Sequence, residues 1–454
     1  MLFSSIEFIF VFLPVFLTFY FFTPNKQRNS VLLVFSLIFY AWGEPRFLAL
    51  MAFTVVLDWL LGILIERKPK KAKPFLALAV GSNLLILGVF KYLSPTLNFF
   101  GVSFVSLALP VGISFYTFQC LSYVIDVYRG ETAQKSLVAF GTYITMFPQL
   151  IAGPIVRYCD ISGELTCRKS DTVGITQGIL RFTAGLFKKL IFANGAGALW
   201  TYFSTLPSDR LSTLGAWFGI IFFSLQIYFD FSGYSDMAIG LGRILGFSFP
   251  ENFNYPYTAK SIRDFWHKWH ISLGAWFREY LYIPLGGNRK GEVRTLFNML
   301  AVWLFTGLWH GAGFNFLMWG GYYFILLACE RLFAKKIPKR IPSLIKHAYS
   351  LFLILIGWVF FALPSVGEIA AYLGKMFSFS APYGNELYQV IRNIPFLAVM
   401  LLASTPYPKS AFYKLTKGRK GLSFAVSVSS IFAFTVCVAN LVGSSYNPFL
   451  YFRF

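Results

Sequence analysis

Runs of about twenty residues with almost no charge recur from one end of this chain to the other, and that recurrence confines it to one kind of solvent. The runs fall near 6–22, 30–42, 47–65, 74–93, 107–125, 136–155, 178–200, 214–240, 296–313, 314–333, 348–363, 393–404 and 422–440. A helix needs about 20 mostly apolar residues to cross hydrocarbon. A membrane β-barrel would instead show alternating segments of roughly 10 residues. These runs are long and do not alternate, so helices, which satisfy their own backbone within one segment, are the expected element. Only 13% of the 454 residues are charged, against about 25% in soluble domains. Several runs are short or broken by Pro and Gly, which predicts 10 to 13 segments, some of them re-entrant. The expectation is an all-α polytopic transmembrane protein forming a single membrane domain over 1–454, since no repeat or low-complexity linker divides it.

The remaining charge is lopsided: 40 Lys and Arg face 19 Asp and Glu. In a membrane protein this reads as basic cytoplasmic loops attracted to anionic lipid, and no nucleic-acid-binding motif suggests otherwise. Lys26 and Arg28 follow the first run, and Arg67 to Lys73 the third, whereas 94–106 carries no charge. That alternation predicts an outside N-terminus, with the clusters Arg331 to Lys346 and Lys409 to Lys420 also cytoplasmic. The first run lacks a positive n-region and a small-residue cleavage site, so it reads as a retained helix. Cys120, Cys159, Cys167, Cys329 and Cys437 form no CxxC pair, which argues against a disulfide scaffold or a zinc site.

One stretch, 251–294, is too polar to span and dense in aromatics. From Ser261 to Leu281, Ile262, Phe265, Trp266, Trp269, Leu273, Trp276, Phe277 and Tyr280 recur at steps of three and four, which predicts an amphipathic helix at the membrane interface with its aromatics at headgroup level. Pro284 to Asn288 then break it.

With four histidines in the chain, each is informative. His310 lies 16 residues beyond Arg294, roughly 24 Å along a helix. An ionisable group at that depth marks a pathway or a reaction site unless it merely bonds two helices together. Gly307, Gly311 and Gly313 beside it allow a substrate or another helix to approach closely. His267 and His270 share a helical face but lack a third ligand, so no metal site is expected. His347, beside Lys346, reads as solvated. Asp230, Ser232, Ser235, Asp236 and Arg243 interrupt an otherwise membrane-like segment; Asp236 and Arg243, two turns apart, can pair only loosely, and such groups either bind a substrate or lock helices. G-x-S-x-G and Walker motifs are absent, which excludes a hydrolase elbow and ATP hydrolysis.

The residues also carry a resemblance. FYAWGEPRF at 39–47, LPVGISFYTFQCLSYVIDVYRG at 109–130, FPQLIAGPIVRY at 147–158, YFDFSGYSDMAIGLGRILGF at 228–247, FPENFNYPY at 249–257, DFWHKWHISLGAWFREYLYIPLGGNR at 264–289, TGLWHGAGFNFLMWG at 306–320 and NPFLYFRF at 447–454 are similar to the membrane-bound O-acyltransferases. The likeness is to the bacterial branch containing the alginate O-acetylase and peptidoglycan O-acetyltransferase membrane subunits. It implies a ring of tilted helices around a central channel, with interfacial and re-entrant helices, in the bacterial inner membrane. It implies His310 and His270 as catalytic residues and gives His267 no support. Trp309, Trp266, Asn315, Asp236 and Arg243 become candidate substrate-binding residues, Asn315 toward an oxyanion. The implied donor is a cytoplasmic thioester, acetyl-CoA, which the basic excess would help hold, and no resident cofactor is called for. The implied acceptor is an extracytoplasmic polysaccharide or peptidoglycan, reached with a separate extracytoplasmic acetyltransferase protein. Two alternatives remain: D-alanyl transfer to teichoic acid from a carrier protein, and a transporter or flippase, against which the lack of inverted repeats speaks.

Overall fold

The computed structural model describes residues 1–102, 104, 107–333, 340–416 and 420–443, and every regular element among them is helical. The terminal motif at 447–454 and parts of both late basic clusters lie outside the described residues. Seven of the described helices are long and apolar enough to cross a membrane: Pro45–Arg67, Pro69–Phe99, Thr213–Leu245, Phe314–Phe333, Ser343–Ala362, Gly384–Ala403 and Phe424–Gly443. Other expected segments are helical but shorter or interrupted. The run at 136–155 stops at Thr145 and restarts as Phe147–Leu150 around an extended Met146, with Pro148 at a position where a missing N–H is harmless.

The described chain divides into two compact units, one of 1–186, 234–251 and 441–443, the other of 187–233 and 252–440. In the first, Phe147 is enclosed by Phe16, Phe12 and Phe39 with ring centroids at 5.0, 5.3 and 5.5 Å. Polar groups here answer one another across helices. Asn83 Nδ2 donates to both carboxylate oxygens of the fully buried Asp58 at 2.9 Å. Arg181 bridges Asp236 at 2.8 Å and Glu251 at 2.5 Å, and Arg243 bonds Gln177. Asp236 and Arg243 are therefore not each other's partners: each reaches the neighbouring helix Thr172–Phe187, because two turns along one helix is too far for direct pairing.

In the second unit, Glu292–His310 and Phe314–Phe333 form a tight hairpin. Gly307 lies against the Phe316 carbonyl and Gly320 against that of Trp303, so neither position has room for a Cβ. Small residues permit such contact between helices in a bilayer; Gly307 thus admits a helix. A buried ion pair, Lys189 to Asp230 at 2.6 Å, ties the π-helical segment Lys188–Ala193 to the long helix Thr213–Leu245.

Candidate active site

The amphipathic pattern over 261–281 does form helix, but not one continuous helix. Ile262–Lys268 ends, Trp269 is extended, His270 adopts φ 45° and ψ 53°, and Ile271–Phe277 begins anew. Ser261 caps the first piece by accepting the Asp264 N–H, and Glu330 binds the N–H groups of Ile262 and Arg263 at 2.7 and 3.0 Å. Carboxylates suit a helix N-terminus because its first N–H groups have no helical acceptor. The aromatic face turns into the protein. Phe265, Trp269, Trp276 and Phe277 are buried within the protein, where large rings contribute through the area they cover. The break separates the two histidines of HxxH: His267 is exposed and His270 buried. His347, expected in solvent, is half-buried and bonds the Ala259 carbonyl through Nδ1 at 3.0 Å.

His270 Nδ1 lies 3.1 Å from Asn252 Oδ1, while Nε2 is buried and has no hydrogen-bond partner among the described residues. Burial pushes the imidazole down to about 3, since the charged form is penalised away from water. The Phe231 ring stands edge-on to it at 4.6 Å and Trp309 at 5.9 Å. Trp309 in turn packs on His310 at 4.9 Å, so one indole touches both imidazoles. His310 is the last residue of its helix and is 6% exposed, with Trp319 and Phe361 edge-on at 5.1 and 5.2 Å. Asn315 is buried on the same hairpin, and its Nδ2 donates to the Phe360 carbonyl at 3.4 Å. Trp266 contacts Trp303, Tyr323 and Trp319 at 4.7, 4.8 and 5.5 Å.

A cavity of about 1930 Å³ within this unit is lined by both Trp266 and His270. Its exposed lining carries Lys260, Arg263, Arg278, Arg289, Lys290 and Arg331 against the two acids Asp264 and Glu330. Cations at the rim with rings and a neutral imidazole at the buried lining suit an amphipathic, anionic molecule. Asp236 and Arg243 belong to the other unit, where their observed partners are Arg181 and Gln177. Sequence reasoning missed Asn252, Ser272, Trp319 and Phe361 as neighbours of the histidines; only the polar Asn252 within ENFNY offered a signal.

Residues 113–366 match the membrane-bound O-acyltransferase family. The chain is 37% identical to the probable alginate O-acetylase of Pseudomonas putida over the whole of both chains. The chain belongs to the membrane-bound O-acyltransferase family. It is thus a multi-pass membrane acyltransferase. This acyltransferase is also 40% identical to the probable alginate O-acetylase of Pseudomonas aeruginosa, over 85% of its own length and 77% of the relative. Against the peptidoglycan O-acetyltransferase of Helicobacter pylori it is 34% identical, over 80% of its own length and 77% of the relative.

Proposed function

We propose that this acyltransferase moves an acetyl group from acetyl-CoA on the cytoplasmic side of the bacterial inner membrane toward hydroxyl groups of an extracytoplasmic polysaccharide or peptidoglycan. The observation that carries the reading is the array of His270, Trp309 and His310, with His270 in the wall of a large cavity whose rim is cationic. A coenzyme A ester is a polyphosphate with a slender thioester arm, and the cavity offers guanidinium and ammonium groups outside and apolar walls within. The names of the relatives, alginate and peptidoglycan O-acetylating proteins, support acetyl as the cargo and a polysaccharide as its destination.

In this reading His310 is the general base. It takes the proton of the acceptor hydroxyl as that oxygen attacks the thioester carbonyl; the C–O bond forms, the C–S bond breaks, and the proton passes to the departing thiolate. The products are the acetyl ester and the free thiol. Imidazole suits both transfers because its ordinary pKa of about 6.5 lies near working pH. Trp309, packed on His310, and Asn315, on the same hairpin, are the candidates for orienting the carbonyl, Trp266 for holding the arm in the cavity. Asp236 and Arg243 brace helices. A separate extracytoplasmic protein completes delivery to the polymer.

The test uses the full chain in nanodiscs with acetyl-CoA labelled in the acetyl group. Consumption of acetyl-CoA dependent on a polysaccharide acceptor and the partner protein, lost in His310→Ala with folding intact, supports the reading. Full activity in His310→Ala overturns the mechanism, and use of a carrier-bound D-alanyl thioester in place of acetyl-CoA overturns the donor.

A further inference from the structure

Asn252 is fully buried and faces the second histidine rather than the acyl-transfer base. We infer that Asn252 is a positioning residue that fixes the tautomer of His270, holding its proton on Nδ1 and leaving a lone pair on Nε2 for the hydrogen of a substrate O–H or N–H. The inference rests on the acetyl-transfer reading for its purpose, but its geometry stands independently.

Three donors converge on one oxygen. Ser272 N–H, which can only donate, points at Asn252 Oδ1 at 3.3 Å, and Ser272 Oγ lies 2.9 Å from the same atom. An amide NH₂ in that place would set one N–H against another, so the atom facing them is the carbonyl oxygen. A carbonyl oxygen accepts; His270 Nδ1, 3.1 Å away, must therefore carry the hydrogen. In a neutral imidazole the other nitrogen then carries a lone pair, and Nε2 is the buried nitrogen with no partner among the described residues.

The backbone is built to hold this pairing. Ile271 N–H donates to the Asn252 carbonyl at 3.0 Å, and Asn254 N–H donates to the Lys268 carbonyl at 3.0 Å. These two bonds clamp 252–254 against 268–271, on either side of the left-handed His270. A non-glycine residue there is strained, and such strain persists only where its surroundings over-determine it. The opposite tautomer would present an N–H at Nε2, able to donate to an oxyanion but unable to accept. The inferred one accepts, which separates the role of His270 from that of an oxyanion donor.

The chain has four histidines, so the full-length protein labelled with ¹⁵N-histidine, in nanodiscs, gives a readable spectrum in which His270→Gln assigns the resonance. The expected result is a neutral Nδ1–H imidazole in the wild type, lost or mixed in Asn252→Leu and kept in Asn252→Asp, whose carboxylate also accepts. In parallel, kcat with acetyl-CoA should fall about 100-fold in Asn252→Leu with KM little changed, and recover in Asn252→Asp with the acid limb of its profile moved to higher pH; orienting partners of functional histidines are worth about 10–100-fold. Nε2–H in the wild type overturns the inference, as does Asn252→Asp being as inactive as Asn252→Leu. If Asn252→Leu does not fold, Asn252→Asp decides alone: an unmoved acid limb overturns it. A wild type that keeps Nδ1–H yet never uses acetyl-CoA defeats the acetyl-transfer reading and leaves the assignment of Asn252 in place.

Discussion

Both units bury ionisable side chains and match them, as Lys189 and Asp230 do in the second, but His270 is treated in the opposite way. In the first unit, Asp58 has both oxygens bonded to Asn83, and Arg181 holds Asp236 and Glu251 together. In the second, His270 has one nitrogen tied to Asn252 and the other buried without a partner among the described residues, in the wall of a large cavity. A buried polar group left unmatched costs about 1–3 kcal/mol, so a fold that tolerates one beside a cavity keeps it for a molecule that enters. The difference teaches how to sort polar residues in an apolar chain. Those that answer each other across helices are joints, and those that answer half of their capacity toward a cavity are working parts.

The sharpest way to break that division is at the histidines. His310→Ala is expected to reduce acetyl transfer by about 10³-fold, within the 10²–10⁴ typical of positioned proton transfer, with a cooperative melt preserved. Transfer at the wild-type rate would remove His310 from the chemistry. His270→Gln is expected to lose about 10²-fold, because glutamine keeps some polarity but cannot present an imidazole lone pair. Equal losses from Asp58→Asn, measured per folded molecule, would erase the distinction between the units.

Cavity charge gives the next largest effect. Arg263 and Arg278 stand exposed at the cationic lining, and a charge-assisted hydrogen bond to phosphate contributes about 1.5–3 kcal/mol. Reversing either, as Arg263→Glu or Arg278→Glu, should raise KM for acetyl-CoA about tenfold or more while kcat holds. The shift should shrink as salt is raised, because exposed charges are screened beyond about 10 Å at 0.1 M. A fall in kcat at unchanged KM would place the donor elsewhere.

Much of this was legible in the sequence, and the illegible part has a physical cause. Apolar run length found the seven described helices long enough to cross hydrocarbon, while six of the thirteen expected runs form shorter, interrupted or less apolar helices. His310, singled out by its distance from Arg294, ends a hairpin helix as a buried residue, and the run at 136–155 is broken beside Pro148. The pattern over 261–281 foretold helix and a buried face, yet not the break at His270. Periodicity registers only which positions are apolar, and Trp269 and His270 keep the period while the backbone turns over between them. The partners of Asp236 and Arg243 were hidden for a related reason: hydropathy ranks residues along one helix, whereas Arg181 and Gln177 lie on another. Asn252, eighteen positions before His270, is joined to it by chain reversal alone.

In the first unit the expected effects fall on stability. Arg181→Met leaves Asp236 and Glu251 without their shared cation, and removing one partner of a partly buried pair is expected to cost about 1–3 kcal/mol, less than the 3–5 of a fully buried one. Thermal unfolding in detergent should show a lower midpoint, with acetyl transfer per folded molecule and KM unchanged. A changed KM would instead make Asp236 a substrate contact.

The smallest effect is a slope with pH, and it isolates His270. Its imidazole is held down at about 3 in the fold, whereas an unfolded histidine titrates near 6.5. As pH falls below 6.5 the unfolded chain takes up that proton first, so stability is full above the unfolded value and declines toward the folded one, by up to about 1.4 kcal/mol for each unit. Unfolding midpoints of the wild type and His270→Gln, compared from pH 7.5 to 5, should therefore converge as the medium acidifies, with the wild type losing stability faster. Parallel curves would mean that His270 meets water or a counter-charge in the folded protein, and the contrast between the two units would then rest on the cavity alone.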